Sequence, residues 1–455
     1  MNSNLKTSEK LQGKLNSSYN SDTRIIDLTL ILLIVINVVL GLILYKMRQI
    51  ATIHAILLPL VTILSLFRRK PQLSVALLSY IANSHVLWRM TKAHVFWEYS
   101  KYASIILIIL ILIRYVKHLK NFILPGLFLF FLSLSIPLTI NYYRSIQLIR
   151  RAISFNLAGP VLLAFSTMLF YNIKIKKSEM QWILLSLSMP AVSISSISLY
   201  SLLTKRIVFT ETSNFIASGG FGPNQVSATL GLGSLIMLIL AINYYKRTTD
   251  KIVLYTISLW LFIQSLLTFS RGGVFNFAVA LTGFLWYSIK DHKTRLKVLS
   301  GTVILSIFIL ITLPKVQRIT QGQLKERFTN LNPTGRDKIA LAEIQLFEEH
   351  PLFGVGPGVG IAERTGILGY YIAPHTEFSR LLGEHGIFGL MALILLMIML
   401  YIPVKNVIPS DKKGENVAFI LWSAAEMAHS ATRIAITGFL PGIAYLNIHR
   451  EDDEE

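Results

Sequence analysis

Residues 28–44 read LTLILLIVINVVLGLIL, an uncharged apolar run that, wound as a helix, crosses the roughly 30 Å hydrocarbon core of a bilayer. Further apolar runs follow at 51–67, 73–87, 103–113, 124–140, 153–171, 183–203, 230–242, 254–269, 274–289, 298–313 and 381–400, and from Val417 onward. Together they predict about 12 to 14 membrane crossings. The expected fold class is therefore all-α, a polytopic integral membrane protein. With 53% hydrophobic residues, 15% charged residues and a mean hydropathy of +0.55, the composition lies far from that of a soluble domain.

The formal charge of +20 would suggest a nucleic-acid partner if the cations formed one patch. They are instead dealt out among the gaps between spans: Arg68, Arg69 and Lys70; Arg114, Lys117 and Lys120; Lys174, Lys176 and Lys177; Lys246, Arg247 and Lys251; Lys290, Lys293, Arg295 and Lys297. These are alternate loops, which the positive-inside rule assigns to the cytoplasm together with Lys6, Lys10 and Lys14. The charge thus encodes topology and contact with membrane lipids, with no nucleic acid expected. Three outer loops break the alternation: Lys46 with Arg48, Arg144 with Arg150 and Arg151, and Lys205 with Arg206. Either these cations snorkel to lipid phosphates, or they attract an anionic lipid-linked substrate. Arg150 and Arg151 are the strongest candidates for the second role.

The chain divides into a disordered cytoplasmic tail (1–24), a first block of spans (25–314), a long polar loop (315–380), C-terminal spans (381–448) and an acidic tail (449–455). An inside N-terminus and about 11 preceding spans place the long loop outside the cytoplasm. The apolar run starts too late for a signal peptide. Cysteine is absent, which removes disulfides and thiol chemistry. No repeat and no inverted pair of broken helices stands out, which argues against a secondary transporter.

The long loop gathers the polar motifs. Thr334-Gly335-Arg336-Asp337 reads as a helix start with Thr334 as N-cap, and a short amphipathic helix is expected over 336–349, ended by Pro351. It is too short and too charged to span. Gly354-Val355-Gly356-Pro357-Gly358 follows. Gly356 and Gly358 allow backbone to approach a ligand, or else they form a tight turn between helices. Upstream, Pro223 suits the first turn of a re-entering helix, and Asn224 and Gln225 at membrane-surface depth either cap it or touch a sugar.

Several residues have the chemistry for group transfer. Arg271, in Ser270-Arg271-Gly272-Gly273, either snorkels at the interface or presents a planar fork to a diphosphate. His375 lies just ahead of the span that starts near Leu381. With a pKa near 7 its imidazole would take a proton from a sugar hydroxyl while Arg271, Arg336 and Arg380 meet phosphate charge. Glu377 and Glu384 either orient His375 or hold the loop. There is no DxD pair and no His or Cys set at metal-ligand spacing, so neither metal nor cofactor is expected. Glu426, His429 and Arg433 fall at i, i+3 and i+7, on one helix face. They form a buried polar seam or line the same cavity.

Taken in order, Ser270-Arg271-Gly272-Gly273, Gly335-Arg336, His350-Pro351-Leu352-Phe353-Gly354-Val355-Gly356-Pro357-Gly358, His375-Thr376-Glu377 and Glu384-His385-Gly386-Ile387-Phe388-Gly389-Leu390 resemble the O-antigen ligase and polymerase superfamily. The resemblance is strongest over about 219–393. It implies a GT-C type membrane glycosyltransferase of the bacterial inner membrane with an extracytoplasmic, metal-independent site. The implied donor is an undecaprenyl-diphosphate-linked glycan, and the acceptor a glycan or lipid hydroxyl. The family's arginines map onto Arg271 and Arg336 and its histidine onto His375. The remaining expected contacts are Arg150, Arg151, Arg380, Glu377, Gly356, Gly358 and Asn224. One position departs: the family commonly has His-Asn where this chain has His375-Thr376, and threonine keeps one donor and one acceptor. A transporter or flippase of lipid-linked oligosaccharides is the alternative, and it would place charges at the bilayer midplane rather than in a loop.

Overall fold

The computed structural model describes residues 27–449 apart from 69–70, 117–118, 291, 331–334, 372–373 and 406–409. The tail 1–24, Thr334 with its expected capping role, Arg69, Lys70, Lys117 and the acidic residues after His449 lie outside the described residues. Among the described residues eight helices are long and apolar enough to cross a membrane: Leu28–Lys46, Arg48–Ser65, Ile123–Tyr142, Ile146–Asn172, Lys177–Thr204, Pro223–Asn243, Thr248–Leu267 and Glu377–Lys405. Tyr99–Tyr115, Arg271–Ser288, His292–Ile319 and Ser410–Ser430 are further long helices. The protein is an all-α polytopic membrane protein.

Pro223–Asn243 and Lys177–Thr204 form the centre, with 94% and 83% of their apolar windows buried, whereas Arg48–Ser65 at 22% is peripheral. Between helices in lipid there is little hydrophobic gain, so contact relies on small residues that let backbones approach. Ser227 bonds Ser265 (2.8 Å) and Ser234 bonds Ser258 (3.1 Å) between Pro223–Asn243 and Thr248–Leu267. A methyl group added at Gly231 would sit 2.6 Å from the Gly273 carbonyl oxygen, and one at Gly273 would enter the backbone of Ser227. The glycines after Arg271 are therefore where two helices cross. Gly273→Ala is expected to destabilise the protein by roughly 1–3 kcal/mol through overpacking. Thermal unfolding of the purified chain in detergent reads this directly, and an unchanged midpoint would count against the crossing.

The polar region 315–380 is mostly helix. His292–Ile319 runs past Lys315, Gln323–Thr329, Arg336–Glu349 and Gly360–Leu368 follow, and the last long helix already starts at Glu377. Arg336–Glu349 forms where the sequence predicts it, with Ile339, Ala342 and Leu346 buried. Its neighbours are Gly360–Leu368 and Glu377–Lys405, so the amphipathic face is covered by protein. At the far end of the chain Asn447–His449 pairs in parallel with Lys174–Lys176, which ties the C-terminal segment to a basic connection.

Candidate active site

The Glu377–Lys405 helix is broken at Gly386, whose φ of 61° and ψ of −138° are non-helical. The glycine-rich run docks on this break backbone to backbone. Val355 N donates to Gly383 O (3.1 Å), Gly356 N to Glu384 O (2.9 Å) and Ile387 N to Pro351 O (2.8 Å). Gly356 (φ 98°) lies against Thr139, and Gly358 (φ 83°) against Ala152 and Asn156. Gly356 and Gly358, expected at the substrate, are here packed against neighbouring elements. The Gly356 amide is already used, and both glycines serve close packing. His385, fully buried, bonds Ser135, a structural placement.

Three arginines converge from three separate elements. Arg271 opens the Arg271–Ser288 helix, and its N-cap Ser270 donates to Asn224 Oδ1 at 2.7 Å. Asn224 thus braces the arginine's turn from the first turn of Pro223–Asn243. The Arg271 guanidinium donates to the Asn330 carbonyl. Arg327, from Gln323–Thr329, donates through Nε to Phe269 O (2.9 Å). Arg336 opens its own helix after Gly335, which has a φ of 81°. Burial first, then the charges of Arg271 and Arg336, lowers the Arg327 pKa. Burial and Arg271 lower that of Arg336, with Glu426 opposing. A guanidinium nevertheless stays protonated, so the mutual repulsion concentrates positive potential that an anion would relieve.

His375 sits beside this cluster on the segment leading into Glu377–Lys405. Its Nδ1 meets the His429 carbonyl oxygen at 3.3 Å. A carbonyl only accepts, so Nδ1 carries the proton and Nε2 is the basic nitrogen. Burial, then Arg433 and Arg336, pushes the imidazole pKa down to about 4. The sequence expectation of a value near 7 is corrected accordingly, because the cations facing the ring come from distant parts of the chain. Thr376 explains its own departure from the family pattern: its Oγ1 accepts from Phe378 N (3.1 Å) and Ser379 N (3.3 Å), a helix cap that a short polar side chain supplies.

Arg380 and Glu377, expected at the substrate, are turned inward instead. Arg380 is 2% exposed and is held between Glu377 and Glu384, the latter at 2.7 Å. Glu377 Oε2 also accepts from Thr432 N and Oγ1, both at 3.2 Å. The pair clamps the His375 segment to the turn at 431–434. Nearby, Glu343 bonds the buried Arg364 at 2.6 Å and accepts from Ser379. Glu426 and His429 do share a helix, Ser410–Ser430, with Asn276 Nδ2 donating to Glu426 at 2.6 Å. Arg433 leaves that face, because the helix stops at Ser430 and Ala431 takes a φ of 52°. Its guanidinium donates to the carbonyl of Pro374, next to His375. Arg327 went unnoticed in the sequence because Lys325-Glu326-Arg327 reads as an ordinary solvated helix face. Arg150 and Arg151 stand apart from the cluster on Ile146–Asn172, on the wall of a cavity of about 980 Å³.

Residues 256–394, which hold Arg271, Arg327, Arg336 and His375, match the family model described as O-antigen ligase. No curated protein matches the chain significantly. The chain is accordingly a multi-pass membrane protein in which residues 256–394, about a third of its length, match the O-antigen ligase family, a match that supports a membrane glycosyltransferase-like function.

Proposed function

We propose that the protein transfers a glycan from an undecaprenyl-diphosphate carrier to a hydroxyl of a second glycan or a lipid, at the extracytoplasmic face of the bacterial inner membrane. The observation that carries this reading is the convergence of Arg271, Arg327 and Arg336 beside a neutral His375. The diphosphate rests on the arginine forks, which match its oxygens in pairs. His375 Nε2 takes the proton of the acceptor hydroxyl as its oxygen attacks the anomeric carbon from the face opposite the diphosphate. The bond from that carbon to the diphosphate oxygen breaks, the configuration inverts, and the electron pair leaves on the diphosphate. The arginines stabilise this charge where it develops, the service a metal ion would otherwise give. Glu377 and Arg380 take a positioning role in this reading: they fix the segment that aims His375. Incubation of the purified protein with lipid-linked glycan and candidate acceptors tests the proposal, with transfer to a hydroxyl expected. Flipping of the lipid-linked glycan without any transfer would replace it with the transporter reading.

The proposed side of the membrane has its own test. The chain lacks cysteine, so single cysteines report cleanly. With an inside N-terminus, Lys325→Cys should react with an impermeant thiol reagent from outside and Lys290→Cys only after permeabilisation. Both positions are exposed. The reverse pattern would move the site to the cytoplasmic face.

A further inference from the structure

The cavity that holds Arg150 and Arg151 is separate from the arginine cluster and is built differently. Phe96, Trp97 and Tyr102 supply ring faces, and Gln147, Ser154 and Glu98 supply polar groups. Phe96 is 57% and Trp97 53% exposed, and the lining of the cavity is more apolar than polar. Tyr102 Oη bonds Ser154 Oγ at 3.0 Å, so the two walls are in register. Arg150 and Arg151 are exposed at the cavity, and neither forms an ion pair among the described residues. Glu98 is buried and answered by Arg89 (3.0 Å) and Lys101 (2.7 Å). The cavity is thus positive at Arg150 and Arg151, while the Glu98 carboxylate is already taken up by two cations.

Its wall is joined to the transfer site by three connections. Arg89 Nη1 donates to Gln225 (3.1 Å), the neighbour of Asn224, which braces Ser270 and Arg271. The Trp97 carbonyl accepts from Arg89 Nε (3.0 Å) and meets His85 Nε2 (3.1 Å). His85 Nδ1 accepts from Ala435 N (2.8 Å), two residues past Arg433. The third connection is packing: Gly358 of the glycine-rich run rests on Ala152, next to Arg151.

We infer that this cavity is the acceptor subsite and that it takes an acidic glycan, with sugar rings stacked on Phe96 and Trp97 and a carboxylate or phosphate on Arg150 and Arg151. This rests on the transfer reading above. The diphosphate of the donor has its own cations in Arg271, Arg327 and Arg336, which leaves the second pair for the second substrate. Flat aromatic faces suit the apolar faces of sugar rings, and Gln147 and Tyr102 offer partners to hydroxyls. A glycan held there would have the anion at the arginines and its sugar rings on the Phe96 and Trp97 side.

Calorimetric titration tests this with the full chain in phosphatidylcholine nanodiscs, using trigalacturonate as the acidic probe and maltotriose as its uncharged match. Trigalacturonate should bind roughly tenfold or more tightly than maltotriose, the size of one charge-assisted contact. Arg150→Ala with Arg151→Ala should erase the difference, Arg150→Lys with Arg151→Lys should restore part of it, and Phe96→Ala should weaken both sugars. All three positions are exposed, so the fold should survive. Equal binding of the two sugars, or acidic binding indifferent to the double alanine variant, overturns the proposal. So does competition by added phosphatidylglycerol at a site that binds neither sugar, which would mark a lipid-headgroup site. In turnover, the double alanine variant should raise the acceptor KM and leave the donor KM alone, and a rise in donor KM instead overturns the assignment. Because the titration needs no donor, a protein that binds the acidic sugar but transfers nothing would refute the transfer reading and not the subsite.

Discussion

His375→Ala is expected to lower turnover by about 10²- to 10⁴-fold, the usual worth of a positioned general base, while binding of the lipid-linked donor is largely kept. Its pH signature is specific. With the imidazole pKa near 4, the ring is neutral and able to accept a proton at every pH well above that value. The kcat/KM of the wild type should therefore rise with pH through about 4 and stay flat to neutrality. A bound diphosphate places negative charge beside the ring and favours its protonated form, so the corresponding limb of kcat should lie at higher pH. Both limbs should vanish in His375→Ala. A folded His375→Ala protein with full turnover would remove the base from the scheme. A His385→Ala protein that is folded and inactive would transfer the role to His385, despite its burial against Ser135.

Arg271→Lys is expected to lower turnover by about 10²- to 10³-fold, or about 2.7 to 4 kcal/mol, the cost of losing a donor aimed at transition-state charge. Lysine keeps the charge but not the planar fork, and it also loses the geometry by which the arginine reaches Asn330. The effect should appear in kcat more than in donor KM if the contact strengthens as the diphosphate departs. Circular dichroism and size-exclusion profiles in detergent establish that the variant is folded. Near-normal turnover in such a protein would refute the leaving-group role of Arg271. In the proposed site Arg327 and Arg336 share the anion, so the loss at any one arginine should be smaller than the loss from two removed together.

Much of the scaffold was readable from local pattern. Helix bounds at Arg336–Glu349 and the start at Pro223 followed from glycine and proline at the ends of periodic segments, because those residues act on their own turn. The position of His375 ahead of a long helix was readable for the same reason, although that helix begins at Glu377 rather than near Leu381. The seam formed by Glu426, His429 and Arg433 was half readable. Periodicity continued past Ser430, and nothing local announced that Ala431 would leave the helix.

What the sequence by itself determined is the medium and the materials: apolar runs of membrane length, cations in alternate gaps, and a polar region that carries arginine, histidine and glycine. Those are properties of residues and their near neighbours, which the bilayer selects by length and charge. The tertiary structure alone decided which of these groups face one another. Arg380 is neutralised by Glu377 and Glu384, while Arg327 joins Arg271 and Arg336. Gly356 uses its amide on Glu384. The His375 imidazole is held neutral by burial and by two arginines far from it in the chain. Desolvation and Coulomb interactions depend on distance in space, and spacing along the sequence does not encode that distance.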